Sequence, residues 1–159
     1  MILTNRLQVA DILEHILRWT GPADLWQTTF SVSEEFRRRM HNIRQSGMIN
    51  SAQVIMDYKG TQKTMKLALF ILNTFDRSFL ADNHSKIILA RAIKAEKGVA
   101  PRGVAVITSQ NLTRGNRYES AMITTDPDIF RTLLDEWNRI QTRQSIPIDE
   151  LLRSAAPDD

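Results

Sequence analysis

Residues 83–89 read Asn-His-Ser-Lys-Ile-Ile-Leu, so that two ionisable side chains, His84 and Lys86, stand at the start of a run of branched apolar residues. Side chains at positions i and i+2 of a strand point to the same face of a sheet. An extended backbone would therefore carry His84 and Lys86 side by side. A second apolar run, residues 104–107, leads into a polar segment at residues 108–113. These two strand ends carry the chemistry-bearing residues of the chain.

The polar residues after the second run add three functional groups to the histidine and the lysine. Ser109 and Asn111 are small side chains that suit the oxygens of an anion, and Glu119 is a carboxylate that can orient an imidazole. With His84 as a nucleophile and Lys86 as a positive charge, the set predicts a site for an anionic substrate. The alternative interpretation is that each residue is an ordinary polar group at the end of a strand.

The composition limits the class of protein. A chain of 159 residues fits one domain with its own core, and 42% hydrophobic with 25% charged residues is typical of a globular chain. Cysteine is absent, which excludes disulfides and thiolate metal sites, and the three histidines are too dispersed to indicate a metal centre. No signal segment and no run of about 20 apolar residues is visible. We therefore expect a cytoplasmic protein with no membrane partner and no bound metal.

Positive charge is concentrated around the candidate site. The formal net charge of the chain is +3, and the segment from His84 to Glu119 contains seven basic and two acidic residues. The basic residues of this segment are Lys86, Arg91, Lys94, Lys97, Arg102, Arg114 and Arg117. Such a patch attracts phosphate groups over a Debye length of about 8 Å at physiological salt. A solvated loop rich in lysine and arginine is the alternative interpretation of the same charges.

Hydrophobic periodicity and helix breakers divide the chain into elements. Amphipathic patterns and capping residues predict helices over residues 4–19, 33–46, 61–75, 126–140 and 147–153. Runs of β-branched and aromatic residues predict strands over residues 24–32, 51–58, 78–80, 85–92, 104–108 and 120–124. Residues 93–103 carry two glycines and a proline and are predicted as a basic loop.

The order of these elements predicts an α/β fold. Strands that alternate with helices favour a mixed, mostly parallel β-sheet flanked by helices on both faces. Residues 1–22 are expected to form an extra N-terminal helix packed on the domain, residues 23–143 the domain itself, and residues 144–159 a C-terminal tail. No internal repeat or linker is visible, so we expect one domain overall.

On these motifs the sequence resembles the phospholipase D superfamily. The family pattern is His-x-Lys, then four residues and an Asp, and later a Gly-Ser-x-Asn type of segment with a nearby Glu. Residues 84–86 match the first part, residues 109–111 match the second, and Glu119 lies where the following acid usually falls. The resemblance covers roughly residues 24–140, and the single His-x-Lys motif is similar to that of the nuclease-like subgroup.

Two positions depart from the family pattern. Arg91 stands where the family has Asp, and Thr108 stands where it has the glycine before the serine. Several nuclease-like members also lack that Asp, which supports the site rather than taking part in the chemistry. The change at Thr108 can tighten the turn beside the site. The long connection between the two motifs reads as an insertion, residues 93–103, in a hairpin.

The resemblance implies a metal-independent phosphodiesterase that needs no cofactor. His84 would attack a phosphodiester and form a covalent phosphohistidine, while Lys86, Asn111 and Ser109 would stabilise the phosphoryl oxygens. Glu119 would fix the tautomer of the imidazole. The chemistry needs a second histidine, which a two-fold homodimer would supply by bringing His84 of each subunit to a shared site. His41 within the same chain is the weaker alternative.

The function that we expect is an endonuclease acting on DNA or RNA as a homodimer. A polyanionic backbone suits the basic segment, and the residues expected to bind it beside the catalytic groups are Arg91, Arg114, Asn116 and Arg117. The alternative is a catalytically impaired module of the same fold that binds nucleic acid without cleaving it. A third interpretation is a recognition or assembly domain of a larger defence, repair or mobile-element system.

Overall fold

In the computed structural model, which describes residues 1–6, 8–62, 73–94, 101–113 and 116–154, eight strands form one sheet. The order across the sheet is β1-β7-β6-β5-β2-β3-β4-β8. The strands are β1 (Ile2–Thr4), β2 (Ala23–Thr29), β3 (Ile49–Asp57), β4 (Arg77–Ala81), β5 (Ile87–Ala92), β6 (Gly103–Thr108), β7 (Glu119–Thr124) and β8 (Ile146–Pro147). The α/β class and the mixed sheet predicted from the sequence are confirmed.

The helices of the described residues are α1 (Val9–Thr20), α2 (Glu34–Gln45), α3 (Tyr58–Gln62), α4 (Pro127–Arg143) and α5 (Ile148–Ser154). Two predicted helix starts are confirmed: Ser33 Oγ accepts the N–H of Phe36 at 3.2 Å, and Asp126 caps α4. The helix predicted over residues 61–75 lies mostly outside the described residues, as does the middle of the basic loop. Over the part of the chain that is described, no helix combines the length and the apolar character needed to cross a membrane.

The prediction of a mostly parallel sheet is wrong. Only the pairs β2–β3 and β3–β4 are parallel, while β1–β7, β7–β6, β6–β5, β5–β2 and β4–β8 are antiparallel. The physical reason is the length of the connections. A parallel pair needs a crossover of a dozen or more residues, and only residues 82–86 separate β4 from β5.

The link of residues 82–86, here called the β4–β5 link, has to cross part of the sheet as well as reverse the direction of the chain. β5 lies three positions from β4 in the sheet, with β3 and β2 between them. At about 4.8 Å per strand this is a lateral distance of about 14 Å, close to the reach of five extended residues. The link therefore runs directly across the carboxyl ends of β3 and β2.

Helices cover both faces of the sheet, as predicted. One face packs against α1, α2 and α5 through a core that includes Leu13, Met40 and Ile148. The other face packs against α4, where Trp137 contacts the side of the sheet that carries Phe79. Side chains alternate between the two cores along each strand, as the two-residue period of a strand requires.

The two chain ends contribute edge strands that the sequence did not reveal. Residues 2–4 pair with β7, so α1 begins at Val9 and not near residue 4. Residues 146–147 pair with β4, and Ile148 behind them is 3% exposed. Strands of two or three residues are too short to show an alternating pattern, which is why both were missed.

We expect Trp137 to be the main anchor of α4. Its ring is 2% exposed, packs edge-on against Phe79, and its Nε1–H donates to the carbonyl of Gln27 at 3.0 Å. Trp137→Ala should lower the free energy of unfolding by about 3–5 kcal/mol in urea titrations, because it opens a cavity and removes the indole hydrogen bond to the sheet. Trp19→Ala, at a ring that is 48% exposed, is the matched control and should cost less than about 1 kcal/mol. Equal costs for the two variants would contradict this role.

Candidate active site

Asp57, the last residue of β3, ties the β4–β5 link to the sheet. Its carboxylate is 4% exposed and accepts the backbone N–H of Asn83 at 3.0 Å, of Lys59 at 2.7 Å and of Gly60 at 3.1 Å. Burial by itself raises the pKa of this carboxyl, but the three N–H donors outweigh it, so the pKa of Asp57 lies below its ordinary value. Asp57 is therefore ionised at neutral pH and holds the link through charge-assisted hydrogen bonds.

Asn83 and Ser85 tie the same link to β2. The side-chain amide of Asn83 donates to the carbonyl of Thr29 at 3.2 Å, and its oxygen accepts the hydroxyl of Ser85 at 2.6 Å. Ser85 Oγ also lies 2.8 Å from Thr28 Oγ1, which accepts the N–H of Ile87 at 3.1 Å. The residues on both sides of position 84 are thus fixed by hydrogen bonds to the strand ends.

His84 and Lys86 lie next to each other, as predicted, although both precede β5 instead of belonging to it. Both stand between anchored residues, and the histidine is exposed. Lys86 Nζ donates to the backbone carbonyl of His84 at 2.9 Å and lies 3.3 Å from His84 Nδ1. An ammonium group can only donate, so a neutral imidazole accepts it at Nδ1 only in the tautomer that carries the proton on Nε2.

Asn111 is held at the same edge by Phe30, the residue that follows β2. Its side-chain oxygen accepts the backbone N–H of Phe30 at 3.1 Å, and the next residue, Leu112, donates its N–H to Thr29 Oγ1 at 3.0 Å. The ring of Phe30 in turn lies 5.5 Å from the ring of His84, measured between centroids. Phe30 therefore contacts both predicted motifs, and its backbone orients the amide of Asn111 with the NH₂ group as the free donating end.

Ser109 and Glu119 pair with each other across the β6–β7 connection. The hydroxyl of Ser109 donates to the carboxylate of Glu119 and accepts the backbone N–H of Ser120 at 3.0 Å. Thr108 N–H donates to the carbonyl of Lys86 at 3.0 Å, so this pair begins beside the His84–Lys86 stretch. The structure thus pairs the carboxylate of Glu119 with Ser109, and its expected role of orienting the imidazole stays a prediction.

Arg91 does not lie at this edge of the sheet. Its guanidinium stacks on the ring of Trp26, 4.7 Å from the centroid, and lies 3.9 Å from the carboxylate of Asp24. At about 3.4 Å per residue, the backbone of Arg91 is about 17 Å from that of Lys86. Arg91 therefore lies at the far end of β5, where it was not expected. It follows the His84–Lys86 motif in the sequence, but the extended strand between them separates the two.

The other predicted substrate-binding residues precede β7. Asn116 and Arg117 are exposed in the connection between β6 and β7, near the edge that carries His84. Arg114 lies outside the described residues. The two side chains thus lie in contact with solvent just before the start of β7.

The alternative second histidine, His41, lies elsewhere. It belongs to α2 and lines a groove with Glu34 and Arg38. The helix begins after the end of β2, and eight residues at 1.5 Å per residue carry His41 about 12 Å from that edge. Within the described ranges no three or more histidine, aspartate or glutamate side chains come together in a way that could hold a metal ion.

The positioning residues Asp57, Asn83 and Thr29 were not singled out from the sequence. Asp57 ends a nine-residue strand, β3, whose last four residues are buried. A carboxylate at the end of a buried run is a recognisable signal, because a buried charge must be paired or hydrogen-bonded. Asn83 and Thr29 offer no such signal, since their partners depend on the order of strands in the sheet.

Comparison with known proteins identifies the fold. No protein-family model and no curated protein matches the sequence. Among solved structures, the crystal structure of polyphosphate kinase from Porphyromonas gingivalis matches with a TM-score of 0.57 and 12% identity. The likeness is one of fold. It covers 89% of this chain but only 23% of that enzyme.

We expect Asp57 to make the stability of the protein depend on pH. Because its folded pKa is depressed, its contribution is complete above the unfolded value of about 3.9 and is lost as the pH falls through the folded pKa. Asp57→Asn should lower the free energy of unfolding by about 1–3 kcal/mol at neutral pH. The difference from the native protein should shrink below about pH 4.

Urea titrations at a series of pH values measure this difference. Asp82→Asn, at the exposed residue next to Asn83, is the matched control and should have the same free energy of unfolding as the native protein at each pH. A difference between Asp57→Asn and the native protein that stays constant from about pH 7 down to about pH 2 would contradict the assignment.

Proposed function

We propose that this chain is a phospholipase D-like phosphodiesterase that cleaves nucleic acid without a metal, through a phosphohistidine on His84. The observation that carries the proposal is the meeting of the two motifs at one edge of the sheet. Lys86 lies beside the imidazole, and Phe30 joins that imidazole to the amide of Asn111. The likeness of the fold to that of a phosphoryl-transfer enzyme supports the same class of chemistry.

The first step is attack of the imidazole on phosphorus. Attack requires the neutral tautomer with its proton on Nδ1, which exchange with water supplies: Nε2 gives up its proton and Nδ1 takes one. The Nε2 lone pair then forms a P–N bond while the bond to the leaving oxygen breaks. In the free protein Nδ1 faces the ammonium of Lys86 at 3.3 Å. A phosphate entering the site draws this ammonium to its own oxygens and frees Nδ1. Lys86 therefore contacts Nδ1 in the free protein and stabilises the phosphoryl group by its charge once the substrate is bound.

The remaining groups stabilise the charge of the phosphoryl group and transfer protons. The NH₂ end of Asn111 donates to a phosphoryl oxygen, because its carbonyl end is held by Phe30. Ser109 donates to the phosphate only after it exchanges its bond to Glu119, which is then free to accept the Nδ1 proton of an imidazole. The substrate therefore rearranges one hydrogen bond on each side of the site.

A second histidine protonates the leaving oxygen and later activates the water that breaks the P–N bond. Within the described residues the other histidines, His15 and His41, lie on α1 and α2 and not at this edge. We assign the role to His84 of a second copy, so that the active form is a two-fold homodimer. Water returns the phosphate to solution and restores both imidazoles.

One observation favours a second function, a module that binds nucleic acid without cleaving it. The carboxylate that should orient the imidazole is bonded to Ser109, and the position after the motif that holds an Asp in the family is Arg91 at the far end of β5. In such a module the same edge binds a phosphate backbone without turnover. A role as one part of a larger defence, repair or mobile-element system is compatible with either function.

His84→Ala should abolish cleavage while the fold persists. Removal of the nucleophile should lower the rate on single-stranded DNA, duplex DNA or RNA by at least about a thousandfold in EDTA. The measurement is the release of labelled fragments, with circular dichroism to check the fold. His41→Ala, at another exposed histidine of the same chain, is the control and should cleave normally. Nucleic-acid binding without cleavage by the unaltered protein would establish the module instead.

Mixed dimers should reveal whether two subunits share one site. If both His84 side chains are needed, an equal co-refolded mixture of native and His84→Ala chains retains about a quarter of the cleavage shown by the same total of native chains. If each subunit acts alone, the mixture retains about half. A mixture with Trp19→Ala should keep full activity, since that ring is remote from the site. A monomer in sedimentation equilibrium would also contradict the shared site.

A further inference from the structure

Tyr118 is a large aromatic side chain that the fold leaves in water. It is 74% exposed, although most tyrosine rings bury part of their surface against the protein. It immediately precedes Glu119, the first residue of β7. The neighbouring side chains Asn116 and Arg117 are also exposed. An exposed ring beside a basic and an amide side chain is a binding surface for a ligand with both flat apolar and anionic parts.

Hydrogen bonds connect Glu119, the residue after Tyr118, to the candidate active site. Glu119 accepts the hydroxyl of Ser109, and Thr108 donates to the carbonyl of Lys86. β7 and β5 lie on either side of β6, at about 4.8 Å per strand. The start of β7, next to Tyr118, is therefore about 10 Å across the sheet from the start of β5, next to Lys86, which is about three base-stacking steps of 3.4 Å.

A second aromatic ring lies on the other side of the same stretch. Phe30 follows β2, the neighbour of β5 on the side opposite to β6, and its half-buried ring contacts His84. The order across the edge is thus β2 with Phe30 at its end and His84 beside that ring, then β5 with Lys86, then β6 with Ser109, then β7 with Tyr118. Aromatic rings that flank a cationic centre are typical of surfaces that bind single strands, where backbone phosphates meet the cations and unpaired bases stack on the rings.

We propose that Tyr118 is a stacking platform that makes this site selective for single-stranded nucleic acid. In a duplex each base is already stacked on its neighbours, so a ring at the protein surface gains nothing from it. An unpaired base exposes both of its faces to such a ring. The proposal rests on the proposed function only for the class of ligand, and it does not require that the ligand be cleaved.

The test compares three polyanions in equilibrium binding, with His84→Ala as the background so that cleavage does not interfere. The ligands are a labelled single-stranded oligodeoxynucleotide, its duplex, and inorganic polyphosphate, which has the charge but no bases. Tyr118→Ala should weaken single-strand binding by at least about fivefold. It should change binding of the duplex and of polyphosphate by less than about twofold, because their contacts are ionic.

Two control variants separate stacking from other effects. Tyr118→Phe keeps the ring and should retain single-strand affinity, since stacking needs the aromatic face and not the hydroxyl. Trp19→Ala removes an exposed ring near the opposite end of the sheet, at the end of α1, and should have no effect. Unchanged single-strand binding in Tyr118→Ala, or an equal loss for all three ligands, would overturn the proposal.

The outcomes also separate this inference from the proposed function. Cleavage by the native protein together with unchanged binding in Tyr118→Ala removes only the stacking platform. Binding that depends on Tyr118 in a protein that does not cleave removes only the phosphodiesterase and supports the platform. Absence of any binding to single strands overturns the platform directly.

Discussion

The five-residue β4–β5 link has to cross the carboxyl ends of two strands, and its backbone groups have to be satisfied where they pass. The link cannot leave the surface of the sheet, because its length barely covers the distance. Asp57 at the end of β3 and Thr29 at the end of β2 provide the acceptors that Asn83 needs. A buried backbone group left unpaired would cost about 1–3 kcal/mol. Connectivity and hydrogen bonding are thus sufficient to fix the position of His84.

This constraint produces a site that is rigid in its backbone and open in its side chains. The residues at 83 and 85 are bonded on several sides, whereas the imidazole between them faces solvent and contacts Phe30 and Lys86. A side chain on a backbone held in this way has little conformational freedom to lose on binding a ligand. The same edge collects the ends of β2, β3 and β6, which is where open α/β sheets commonly bind their ligands.

The side of the sheet edge formed by the β6–β7 connection is held by its own hydrogen bonds. Ser109 and Glu119 satisfy each other, and the hydroxyl of Ser109 also accepts the backbone N–H of Ser120 at 3.0 Å. These bonds stabilise the connection and occupy two of the groups that the proposed chemistry would use. Under the proposal, cleavage therefore requires one exchange of hydrogen-bond partners at Ser109, whereas binding alone does not.

The sequence by itself determined the α/β class, the helices on both faces, the caps at Ser33 and Asp126, and the neighbouring positions of His84 and Lys86. Each of these depends on contacts within a few residues, which leave a local pattern. Only the tertiary structure decided that the sheet is mainly antiparallel, that Arg91 lies at the far end of β5, and that Glu119 bonds to Ser109. It also decided the roles of Asp57 and Phe30, whose partners lie 26 and 81 residues away. Partners at such distances are chosen by the order of strands and the length of the links between them, and no local periodicity encodes that choice.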